Sequence, residues 1–112
     1  MASEGESDMK YVVTWRERPA GSATEYEAAQ KRILDVFAAW EMPESLTFHQ
    51  FVVRVGEFGG YAVIETDEPA DLQYLTTVYA PFSFTVEPVL DVMDAVAAET
   101  RGIEWRDSLP NT

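Results

Sequence analysis

A chain of 112 residues, 46% hydrophobic and 25% charged, has the size and balance of one globular domain. Its 20 acidic residues outnumber 8 basic ones, and the net charge of -12 repels phosphate backbones and anionic lipid, which argues against nucleic acid and membrane as partners. With no cysteine, disulfides, thiolate nucleophiles and cysteine-based metal sites are excluded, and a reducing cytoplasmic setting is the expectation.

The opening residues, MASEGESD, lack the basic and apolar regions of a secretory signal. Residues 1–9 are expected to form a disordered tail, with Met9 an alternative start, followed by one domain over 10–108 and a short tail over 109–112. No apolar run approaches the ~20 residues that cross a bilayer. Lys10–Trp15 (KYVVTW), β-branched and aromatic, reads as the first strand. After a loop holding Pro19 and Gly21, Ser22 and Glu25 form a capping box. Tyr26, Ala29, Ile33, Phe37 and Trp40 then mark one face of a helix that ends before Met42-Pro43.

Thr47–Val55 and Gly60–Thr66 read as a hairpin about the Gly56–Gly59 turn. Asp67 and Pro69 open a second helix, with Leu72 and Leu75 on its apolar face and Pro81 at its end. Phe82–Leu90 is the fourth strand, and Pro88, which lacks an N–H, places it at a sheet edge. Asp91 caps a short third helix over Val92–Arg101, closed by Gly102, with Ile103, Trp105 and Leu109 in the tail beyond.

This order, βαββαβ, predicts a ferredoxin-like α+β fold: a four-stranded antiparallel sheet with the first and third strands central and both helices on one face. The second and third strands carry apolar residues on both sides, Phe48 and Val52 opposite Phe51 and Val53, and Tyr61 and Val63 opposite Ala62 and Ile64. A bare apolar sheet face calls for a cover. Two covers are open: the C-terminal segment with Met93, Val96, Ile103 and Trp105, or the same face of a second copy. The homodimer is the favoured one, and it would enclose a space for an apolar small-molecule ligand.

The runs KYVVTW and RPAGSATE, then LTFHQFVVRVGEFGGYAVIETDEPADL, FTVEPVLDV and IEWRD, resemble a family of short bacterial proteins of unknown function. The likeness runs from Met9 to about Ser108, and the family is placed in the dimeric α+β barrel group. That resemblance implies a homodimer. The wider group includes cofactor-independent monooxygenases, lactone isomerases, polyketide cyclases and haem proteins, so the fold names no reaction.

Pairing Val55 with Gly60, Arg54 with Tyr61 and Gln50 with Glu65 sends Gln50, Arg54, Tyr61 and Glu65 to the open face. Thr85 and Glu87 of the fourth strand join them, with Thr14 or Trp15 of the first. Glu65 and Glu87 are the candidate general bases, because enclosure in a partly apolar barrel raises a carboxyl pKa; solvated strand-end carboxylates, or a pair with Arg54, are the plain alternative. Arg54 beside Tyr61 also reads as a stem packed on a ring. His49, the one histidine, is the third proton-moving candidate and reads equally as a structural residue; this register turns it toward the helices beside Thr66. No residue pattern calls for a metal or cofactor. The function expected is a small-molecule-binding barrel, in its catalytic form a cofactor-free cyclase or isomerase for a polyketide-like or aromatic substrate, with Gln50, Tyr61 and Thr85 orienting oxygens. The alternative is a non-enzymatic dimeric interaction or stress-associated module, its barrel filled by its own side chains.

Overall fold

The computed structural model describes residues 9–19 and 21–110. Of the tail expected over 1–9, residues 1–8 lie outside the described residues, as do the last two of the chain, whereas Met9 already belongs to a strand. Strand β1 (Met9–Glu17) leads to helix α1 (Ala23–Ala39), then β2 (Thr47–Val53), β3 (Gly59–Thr66), α2 (Pro69–Val78), β4 (Phe82–Val89) and α3 (Val92–Asp107). The strands form one antiparallel sheet in the order β2-β3-β1-β4, so β1 and β3 are central and Pro88 sits in an edge strand, as expected. The architecture is α+β and ferredoxin-like, with α3 appended.

The capping box that opens α1 is complete: Glu25 N–H donates to Ser22 Oγ at 3.1 Å, and Ser22 N–H donates to Glu25 Oε1 at 3.0 Å. Asp67 does not cap α2. Glu68 takes the N-cap position without a side-chain cap, and its N–H donates to the fully buried Thr66 Oγ1 at 2.9 Å, which fixes the turn that leads into the helix. The core lies on the helix side of the sheet, where Val13, Ile64, Leu72, Leu75, Ile33 and Phe82 are buried. Gly60 is needed there, since a Cβ would come within 2.9 Å of the Trp15 ring that packs over it.

The β2–β3 hairpin differs from expectation by two residues. Val53 pairs with Gly60, Val52 with Tyr61 and Gln50 with Val63. The turn is longer than four residues: Arg54 N–H donates to Gly59 O at 2.9 Å, Gly56 supplies the left-handed φ of +88°, and Gly59 is drawn into pairing with Arg16 of β1. An even shift keeps every side chain on its face. Past Gln50 the ladder is interrupted by a bulge at His49, after which Phe48 pairs with Ile64 and Thr47 with Glu65. The extra residue lets Phe48 and Phe51 lie on the same side, ring centroids 5.6 Å apart, and turns His49 the other way.

Helix α3 is longer than expected and runs through Gly102, which keeps a negative φ and stays in the helix; Ile103 and Trp105 are therefore helical rather than part of a tail. It does not fold back over the sheet. None of its residues is buried, and the radius of gyration of 19.2 Å exceeds the ~13 Å of a compact chain this long. Of the two covers for the bare face, the chain's own C-terminal segment is removed.

Candidate functional site

The sheet presents two unlike faces. On the open face, side chains fall into rows across the strands: Glu65, Lys10 and Val89; then Gln50, Val63, Val12 and Glu87; then Val52, Tyr61, Thr14 and Thr85. Gln50, Tyr61, Glu65, Thr14, Thr85 and Glu87 are thus brought to one face, as expected. Trp15 is not among them. It is 8% exposed on the helix side beside Val13, so Thr14 is the open-face member of that pair. Glu65 and Glu87 stand on β3 and β4 with β1 between, roughly 10 Å apart at least by strand spacing, and do not form a pair.

The bulge brings His49 and Glu65 together on this face. His49 Nε2 lies 2.6 Å from Glu65 Oε1, with the imidazole half-exposed and the carboxylate largely covered. The expectation that His49 points at the helices beside Thr66 fails, because pairing without a bulge would have put Phe48 or Phe51 in water. Next to the dyad, Lys10 Nζ donates to Asp91 Oδ1 at 2.6 Å. That hydrogen bond, helped by the charges of Asp91, Glu65 and Asp94, raises the Lys10 pKa above its ordinary 10.5. Arg54 lies beyond the end of β2, pairs with Glu57 at 2.6 Å and holds its guanidinium 5.8 Å from the centroid of the Tyr61 ring. This is the stem-on-ring reading, with the charge already partnered.

The second face holds a feature that residue patterns did not reveal. Between sheet and helices lies a cavity of about 490 Å³, floored by Ala62 and Ile64 and walled by Ile33 and Phe37 of α1 and by Leu75 and Tyr79 at the end of α2. Leu34, Phe37, Phe51 and Val53, each more than half exposed, stand at its open side. No charged side chain among the described residues lines it. The apolar stripe of α1 and the apolar side of β3 read as plain core. The one hint of space was Ala62, a small residue beneath aromatic-rich helices.

Tyr79 belongs to the cavity lining, with its hydroxyl tucked away from the open space. Its ring meets Trp40 edge-on with centroids 5.4 Å apart, while the Trp40 indole N–H donates to Tyr74 Oη at 3.3 Å. The Tyr79 hydroxyl is buried without a hydrogen-bond partner among the described residues, and burial pushes its pKa up from 10.0.

No group of three or more His, Asp or Glu side chains among the described residues is placed to hold a metal ion, and no described helix is long and apolar enough to cross a membrane. No curated protein and no solved structure matches the chain. One family model, described as a domain of unknown function (DUF3303), covers residues 9–103, every strand and both helices that wall the cavity, and the chain belongs to that family.

Proposed function

We propose that the protein is a cytoplasmic homodimer that binds a largely apolar small molecule in the cavity between its sheet and its helices. The observation that carries this reading is the cavity itself: about 490 Å³, inside the range of small-ligand sites and lined by apolar and aromatic side chains with no charged residue among those described. Val12, Val52, Tyr61 and Val63 on the opposite face have no cover among the described residues, and a two-fold copy of the same face would supply one, giving a dimeric α+β barrel.

Thermal melting against a panel of neutral aromatic compounds tests the binding. A ligand specific for the folded state stabilises it by about 2.7 kcal/mol at a concentration of 100 Kd. Ala62→Phe, which fills the cavity floor, should abolish that response while the unliganded variant still melts cooperatively. A response unchanged in Ala62→Phe, or no response from the native protein to any compound, overturns the reading.

A second reading, cofactor-free cyclisation or isomerisation of a polyketide-like or aromatic ketone, is favoured by the 2.6 Å contact of His49 with Glu65. In it the carboxylate orients the imidazole, whose other nitrogen takes a proton from carbon beside a carbonyl and returns it elsewhere. Gln50, Tyr61 and Thr85 share that face and would hold the oxygens, and Glu87 is the alternative base. This chemistry belongs to the chamber between two open faces, since the sheet separates the dyad from the cavity. If neither site takes a ligand, the protein is a non-enzymatic interaction module.

A further inference from the structure

Among the described residues helix α3 stands apart: beyond Ala95 every one of its side chains is exposed. Val92, Val96 and Ile103, separated by four and seven positions, fall on one face of the helix with Met93 beside them. A 16-residue helix that contains Gly102 is marginal in water by itself, so the stripe calls for packing. The root of the helix shows on which side that packing lies. Lys10 rises from the open face and holds Asp91, the residue that opens α3. The helix thus leaves its sheet on the side where the second copy proposed above would sit. On that face Val52 and Tyr61, paired across β2 and β3, are 45% and 42% exposed, whereas Val12 and Val63 are already partly covered.

We infer that α3 is an arm that crosses to the second copy and lays its Val92, Val96 and Ile103 stripe over Val52 and Tyr61 of the partner subunit. The inference rests on the homodimer proposed above. Strand spacing and rise make one open face roughly 500 Å², so two faces alone bury about 1,000 Å², the floor for a specific dimer. Each arm is about 24 Å long and about 10 Å across, which spans the partner's edge strands and carries the interface to the standard size of about 1,600 Å².

Sedimentation of the full chain carrying Val96→Gln together with Ile103→Gln tests this. Neither side chain is buried in its own chain, and glutamine preserves helix propensity and net charge, so the variant should melt as cooperatively as the native protein. Its dimer dissociation constant should be weaker by at least about 100-fold. In dimers of isotope-labelled with unlabelled chains, nuclear Overhauser contacts should run from Val96 and Ile103 to the partner's Val52 and the partner's Tyr61. A dissociation constant equal in native protein and variant overturns the inference and leaves the dimer standing. Contacts from α3 to its own sheet, or only to α3 of the other chain, also overturn it. A native protein that sediments as a monomer at micromolar concentration removes the dimer, and the arm with it.

Discussion

At the scale of single residues, the open face depends on one irregularity. Without the bulge at His49, strict alternation along β2 would place the imidazole among the helices; with it, His49 meets Glu65 at 2.6 Å. The dyad was therefore not legible as a pair, although both members were identifiable by chemistry. Gln50 was assigned to the right face because the hairpin slipped by two residues and not by one, and Tyr61, Thr85 and Glu87 because alternation along β3 and β4 holds. If the second reading holds, the protein should accelerate exchange of the α-protons of 1-tetralone with D2O, followed by proton NMR. Single substitutions His49→Gln and Glu65→Gln should each slow that exchange by about 100-fold, the lower end of general-base contributions. Exchange no faster than buffer, or unchanged in these variants and in Glu87→Gln, ends the acid–base reading.

At the scale of elements, the strands and the first two helices were legible because their cues are local: the Ser22–Glu25 box, Pro69 at the start of α2, and period-two apolar runs. The third helix was misjudged in length because Gly102 looks like a terminator, and nothing nearby forces it into a left-handed conformation. Lys10, on the central strand, anchors the start of this projecting helix through Asp91. A lysine pKa raised on folding stabilises the native state fully below the ordinary value of 10.5, and that contribution fades as pH climbs through the raised one. The bridge is thus indifferent to pH near neutrality. Asp91→Asn should bring the Lys10 pKa down toward 10.5, read from the pH titration of its 13Cε resonance. An unchanged titration would show that Asp91 does not hold the ammonium in solution.

At the scale of the whole molecule, a sheet with described helices packed on one side and none of them on the other underlies both proposals. The bare side asks for a second copy. The covered side is roofed incompletely: Phe37, Trp40 and Tyr79 stand around a floor of Ala62 and Ile64 with open volume between them. Residue patterns showed which side chains share a face; they did not show how far α1 stands from the sheet, so the cavity was invisible to them. Val63 sits in the middle row of the open face, between Val12 and Gln50. Val63→Lys would bury a charge between paired sheets, so sedimentation should show dimer for the native protein and a dissociation constant at least about 100-fold weaker for the variant. A native protein that sediments as a monomer at micromolar concentration contradicts the dimer.

The claim that a ligand enters between helices and sheet is read most directly from methyl resonances during a titration with 1-tetralone. The account predicts saturable shifts at Ile33, Ala62, Ile64 and Leu75, with Val12 and Val63 on the far face unmoved. Shifts at Val12 and Val63, with Ile64 and Leu75 silent, would contradict it.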